Sequence, residues 1–188
     1  MGSKINFGRI LKDHFKTLSD TEGKWSFPDI LTFYVFPLSV AAVSIFERYN
    51  IKPDIVALLV NFGSIFTALL LSVLMLVYEQ QNKLEDKHQE KSSNGGVPFF
   101  EEKLKLLKQL YCNISYAVVT SVFLVVFSLI QSLFYKKSLS LLFGWTLNFN
   151  NRFSVYLLTP ILLLLTVNVI LTILMIVKRT YALLCMKI

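Results

Sequence analysis

Four uncharged stretches, residues 30–46, 55–78, 109–135 and 153–177, alternate along the chain with segments that hold all of its charged side chains. They run for 17, 24, 27 and 25 residues. A helix needs roughly 20 apolar residues to cross the ~30 Å hydrocarbon core of a bilayer, so the pattern predicts four membrane-crossing helices. The first is the weakest. Its 17 residues rise only about 26 Å, and Pro37 removes a backbone hydrogen bond. Neighbouring helices can satisfy the freed carbonyl, and a kink near Pro37 is expected, either as a hinge or for packing. Glu47 and Arg48 close this span, and Lys52-Pro53-Asp54 turns tightly into the second. Spans 1 and 2 therefore pair as an antiparallel hairpin.

The segments between the spans carry patterns of their own. Phe7, Leu11, Phe15 and Leu18 recur at helical spacing beside Ile10 and His14, with Arg9, Lys12 and Lys16 mainly elsewhere around the wheel. This is an amphipathic helix, suited to lie in the headgroup region or to pack on the rest of the chain. Ser19 to Gly23 breaks it; Trp25 and Phe27 suit an interface, and Pro28 a first helical turn. Residues 79–91 are strongly charged, with Glu79 and Lys83 at the favourable i,i+4 spacing. Ser92-Ser93-Asn94-Gly95-Gly96 is a breaker. From Pro98 a second helix starts, with Phe100, Leu104, Leu107 and Tyr111 on one stripe, and runs into span 3. The two helices are expected to form a stalk capped by the glycine turn, which serves either as a docking surface for a soluble partner or simply as a solvated linker. The uncharged stretch from Ser138 to Asn151 is too short to cross and is expected to lie along the outer interface, anchored by Trp145; a re-entrant loop is the alternative. The resulting divisions are an N-terminal amphipathic segment (1–27), a first transmembrane hairpin (28–78), a charged helical stalk (79–109), a second transmembrane hairpin (110–178) with an outer interfacial loop at 136–152, and a tail (179–188).

Composition agrees. Of 188 residues, 54% are hydrophobic and 16% charged, where a soluble domain carries about 25% charged. The net charge of +7 has to be read by location. The N-terminal segment, the 79–109 segment and the C-terminus hold 14 of the 19 Lys and Arg residues, and the two opposite loops hold five. Because Lys and Arg resist translocation, both termini and the stalk are assigned to the cytoplasm. The same residues flank helix ends and mix with acids in the stalk, which argues against direct nucleic-acid binding. No cleavable signal peptide is evident. Gly2 to Asn6 and the final Cys185-Met186-Lys187-Ile188 match lipidation motifs only incompletely. Cys112 and Cys185 both fall near the cytoplasmic side, a reducing compartment where a disulfide is not expected. The outer loops carry no cysteine, unlike those of claudins, connexins and tetraspanins. The sequon at Asn113 falls on the cytoplasmic side and is not expected to be modified.

No Asp, Glu, Lys, Arg or His lies inside a span. Ion-coupled transport needs such a group, metal chemistry needs clustered ligands, and nucleophilic catalysis needs an oriented base. The reading is therefore non-enzymatic, without cofactor or metal. What the spans offer is mild polarity on faces. In span 2, Asn61, Ser64, Ala68 and Ser72 share one side of the helix, with Gly63 and Thr67 offset beside them. In span 3, Ala117, Ser121, Ser128 and Ser132 do the same, and span 4 places Asn168 and Thr172 one turn apart. Small residues let membrane helices approach closely, and Asn or Ser can bond across the contact. These faces serve packing within one bundle, or they line an oligomer contact or pore. A lone four-helix bundle has no room for water, so a pore requires oligomerisation.

Size, cytoplasmic termini, a charged hairpin around Lys83–Lys108 and the lack of catalytic residues together make the layout resemble small four-span membrane subunits of bacterial antiviral defence systems. The membrane subunit of the Kiwa system and the accessory proteins beside CRISPR–Cas13b genes share this plan. The resemblance is of plan rather than motif. It implies a membrane sensor or effector working with a cytosolic partner in the bacterial inner membrane. The expected fold is all-α: an integral membrane four-helix bundle with both termini inside. Two functions follow. One is a homo-oligomeric effector that perturbs membrane permeability through the polar faces. The other is an anchor that recruits a soluble cytosolic partner through Lys103, Lys105 and Lys108 of the stalk. A holin-like lysis protein fits the stalk less well.

Overall fold

A computed structural model describes residues 7–17, 31–90, 98–134, 138–140, 146–148 and 153–185. The described residues form helices α1 (Phe7–Thr17), α2 (Leu31–Phe46), α3 (Pro53–Glu90), α4 (Phe100–Phe134) and α5 (Ser154–Cys185), with a short antiparallel ladder of β1 (Ser138–Ser140) and β2 (Thr146–Asn148) between α4 and α5. The interfacial run around Trp25, the cap at Ser92–Gly96 and Trp145 lie outside the described residues.

Three helices, α3, α4 and α5, are long and apolar enough to cross a membrane, while α2 is apolar but shorter. This is compatible with a multi-pass membrane protein. Each long helix buries a seam that repeats every seven residues. On α3 the buried positions are Val56, Gly63, Leu70 and Val77. On α4 they are Leu107, Leu110, Ile114, Ala117, Ser121, Leu124, Ser128 and Gln131, alternately three and four apart. On α5, Leu158, Leu162, Val169, Thr172 and Ile176 follow the same rhythm. A seven-residue period keeps one stripe against neighbouring helices over many turns.

Two helices start with a widened turn. Leu31–Val35 and Ser154–Leu158 are π-helical, and in each case a proline, Pro37 or Pro160, stands two residues after the π turn ends. Proline lacks an N–H and its ring collides with the carbonyl four residues back, and a π turn moves that carbonyl away. The irregularity expected at Pro37 is thus a π-to-α switch, repeated at Pro160.

Within the 136–152 segment, expected to be an interfacial loop, the described residues form a strand pair. Ser138 pairs with Asn148, Leu139 with Leu147 and Ser140 with Thr146. Each strand alternates polar, apolar and polar residues, the two-residue period of a strand. Pairing satisfies backbone groups that a loop at an apolar interface would leave open.

The chain divides into two compact units: Met1–Ser26, Ala68–Val119 and Leu171–Ile188 in the first, Phe27–Thr67 and Thr120–Ile170 in the second. In the first, the ends of the α3–α4 hairpin meet through His88 and Phe100, whose rings stack 3.7 Å apart. The Glu79–Lys83 pair forms at 3.9 Å on the surface. In the second, Ile51, Val56, Leu124 and Leu162 make the apolar core, backed by Leu59, Phe62 and Phe127. There α3 and α4 approach so closely that a Cβ on Gly63 would lie 2.7 Å from a Val125 methyl and 3.2 Å from the Ser121 carbonyl oxygen.

Candidate functional site

The first unit contains a buried polar cluster that the spacing of residues did not reveal. His14 of α1 is 2% exposed, and its ring stacks on Tyr116 of α4 at 3.8 Å and nearly parallel. His14 Nδ1 lies 3.0 Å from Asn113 Oδ1. Thr17 Oγ1 is 2.7 Å from both the His14 carbonyl oxygen and Asn113 Oδ1. One hydroxyl carries one proton, so these two contacts are alternatives, and Asn113 Nδ2 is buried with no partner. Turned end for end, the same amide would donate to the hydroxyl and to Nδ1 and leave the hydroxyl proton for the carbonyl. Arg179 of α5 donates to the Thr17 carbonyl at 2.6 Å and to the Gln109 carbonyl at 3.4 Å. Burial pushes the His14 imidazole down to about 4, the hydrogen bond to Asn113 pulling the other way and the Arg179 charge adding to the fall.

This cluster shows α1 packed on the chain, one of the two settings expected for the amphipathic helix. The helix's inner side is held by Asn113, Tyr116 and Arg179 of the protein itself. It also buries the Asn113 side chain completely, which denies the sequon to any modifying enzyme in the folded protein. His14 could not be linked to these partners from sequence, because they lie 99 and more residues away; the one hint was its place beside the apolar stripe.

The second unit has a polar cluster of its own. Gln131, fully buried, donates through Nε2 to Ser154 Oγ at 2.7 Å, and Ser154 donates to Asn50 Oδ1 at 3.2 Å. Gln131 Oε1 and the nearby sequence position Thr159 Oγ1 are buried without partners. Both clusters use the amide or hydroxyl chemistry that membrane helices employ to fix their contacts. Among the described residues, no three His, Cys, Asp or Glu side chains form a group that could hold a metal ion, and the thiols of Cys112 and Cys185 are free.

The polar faces read from the sequence separate into two kinds. Ala117, Ser121 and Ser128 lie on the buried seam of α4, whereas Ser132 is exposed and the adjacent Gln131 takes its place. Ser121 Oγ and Ser128 Oγ are buried without partners. Asn168 is half-buried and Thr172 buried on α5. On α3 the opposite holds. Asn61 and Ser64 in the second unit, and Ala68 and Ser72 in the first, are all exposed. They lie roughly 100–180° around the helix from Gly63, by the ~100° step per residue. Gly63 and Thr67 face inward instead, Thr67 bonding the Gly63 carbonyl at 2.7 Å. Ser72 bonds the Ala68 carbonyl at 3.2 Å; among the described residues the Asn61 amide has no hydrogen bond.

The three stalk lysines also divide. Lys105 and Lys108 are exposed, and Lys103 is half-buried and lines a cavity of about 510 Å³ in the first unit. They do not form one patch. Comparison of the chain with protein-family models, with curated proteins and with solved structures yields no match.

Proposed function

We propose that the chain is a non-enzymatic, homo-oligomeric membrane protein of the bacterial inner membrane, a sensor or effector of antiviral defence that perturbs membrane permeability. The observation that carries this reading is the outer face of α3. Asn61, Ser64, Ala68 and Ser72 stand exposed on the most apolar part of a helix fit to cross the bilayer. An amide with no partner is costly in hydrocarbon, and small residues on that face invite a second helix. Other protomers would cover it, and a ring of such faces would line a path that one bundle cannot.

The proposal includes four crossings with both termini in the cytoplasm. Supporting it, α2 is apolar over Leu31–Phe46 and rises about 24 Å, not far short of the ~30 Å hydrocarbon core. The test is native mass spectrometry of the gently solubilised protein, paired with dye or ion flux from vesicles. A homo-oligomer is expected, with flux that falls on Asn61→Leu at equal membrane levels. A monomer, or flux untouched by Asn61→Leu, would refute the reading.

One observation favours a second reading. α3 continues as helix through the charged residues to Glu90, and α4 starts at Phe100 ahead of its apolar part, so a stalk is available to hold a soluble partner. In that case Lys105→Glu with Lys108→Glu would release a co-purifying cytosolic protein while the chain stays in the membrane.

A further inference from the structure

Along α3 and α4 the cavity beside Lys103 runs from apolar residues to lysines, and Leu84, Leu183 and Leu184 line it as well. Its α3 wall presents Leu76 and Val77, then Lys83 and Lys87, and its α4 wall presents Leu110 and Leu107, then Lys103. From Leu76 to Lys87 the helix rises about 16 Å. The antiparallel partner carries the same gradient in the same direction, since Lys103 precedes Leu107 and Leu110 in α4. No acidic residue lines the cavity. Glu79 reaches Lys83 at 3.9 Å from outside it, while Lys87 and Lys103 have no acidic partner among the described residues. At about 510 Å³ the space falls in the range of small-molecule sites.

We propose that this cavity is a binding site for one anionic phospholipid, drawn from the leaflet that the lysine-bearing helix ends enter. The acyl chains would lie along Leu76, Leu107 and Leu110, and the phosphate would meet Lys83, Lys87 and Lys103. Basic pockets between membrane helices hold anionic headgroups by this combination. Charge selects the headgroup and the apolar floor requires a chain, so neither a neutral lipid nor a free phosphate fulfils both. The site lies on one protomer and holds for a monomer as for an oligomer.

The test uses the full-length chain in neutral detergent, titrated with phosphatidylglycerol, phosphatidylcholine, oleate or inorganic phosphate, with bound adducts counted by native mass spectrometry. Phosphatidylglycerol should be retained at least ten-fold better than phosphatidylcholine or inorganic phosphate, and better than oleate, which has the charge and one chain but no phosphate. Lys83→Gln, Lys87→Gln and Lys103→Gln combined should lower its retention ten-fold or more, and Lys105→Gln with Lys108→Gln should leave it within two-fold. Leu184→Trp, which fills the cavity from an exposed lining position with every lysine intact, should also lower it. Equal retention of phosphatidylcholine, a preference for oleate or phosphate, or equal losses in the two lysine variants would overturn the proposal. If the triple variant loses its helical circular dichroism, Leu184→Trp decides, and unchanged retention there overturns it.

Discussion

His14 shows how one side chain can carry the docking of a helix. Its imidazole is buried against Tyr116, with Arg179 approaching from α5 and Asp13 beside it on α1, and its proton affinity is pushed down to about 4 from 6.5. A released α1 would take up a proton near 6.5. Between 6.5 and about 4 the released form therefore holds more protons, so docking is fully present above this window and weakens as pH falls through it. The loss reaches about 3 kcal/mol at the acid end. Hydrogen exchange should show α1 amides losing protection from pH 7 to pH 5, after correction for intrinsic rates, and His14→Leu should abolish that dependence. Gly63 is the matching case in the second unit, because its missing side chain is what lets α4 approach. Gly63→Val would press a branched side chain against Val125 and the Ser121 carbonyl, and overpacking of this kind costs about 1–3 kcal/mol. Gly63→Ala should cost less, as a single methyl asks the Val125 side chain to turn and the Ser121 carbonyl to give slightly, while better helix propensity offsets about 1 kcal/mol. Thermal unfolding in detergent that ranked Ala below Val in stability would contradict this account of the contact.

Among the elements, helix positions were legible because long apolar runs free of charge alternate with segments that hold the charged residues. Which side each helix buries was only partly legible. On α4 the wheel found Ala117, Ser121 and Ser128, since small and polar residues sit on the seam itself, but it chose Ser132 over Gln131 because a large amide does not look like a packing residue. On α3 the wheel gathered Asn61, Ser64, Ala68 and Ser72 on one face, and the structure leaves all four exposed and buries the side marked by Gly63. In a membrane chain both sides of a helix are apolar, so hydrophobicity cannot say which is inside. The β1–β2 ladder was missed because three-residue alternation is too short to stand out, and the His14 cluster because it joins residues far apart in sequence. The seam yields its own prediction. Ser121 and Ser128 bury hydroxyls without partners, and such a group costs about 1–3 kcal/mol. Ser121→Ala and Ser128→Ala should therefore leave stability unchanged or raise it by about 1 kcal/mol. A loss of more than 1 kcal/mol from either would mean that the hydroxyl has a partner in the membrane that the isolated chain does not supply.

For the whole molecule, the open question of greatest consequence is whether α2 crosses the bilayer, since this fixes the side on which α1 and the lysine-lined cavity work. With four crossings, the N-terminus shares a compartment with the stalk, and α1 can dock on Asn113 and Arg179 without either group leaving the aqueous boundary. With three, Lys12 would share a compartment with Lys52, on the far side of the bilayer from Asp86. Cysteine labelling separates the two. In a background with Cys112 and Cys185 replaced by serine, Lys52→Cys should react with a membrane-impermeant maleimide added to intact spheroplasts. Asp86→Cys and Lys12→Cys should both react only after permeabilisation. Labelling of Lys12→Cys alongside Lys52→Cys would remove the fourth crossing, and with it the proposed placement of both termini in the cytoplasm. Labelling of Lys12→Cys alongside Asp86→Cys would place the docked helix, the stalk and the cavity in one compartment, where a change in α1 docking could be felt by the ends of α3, α4 and α5.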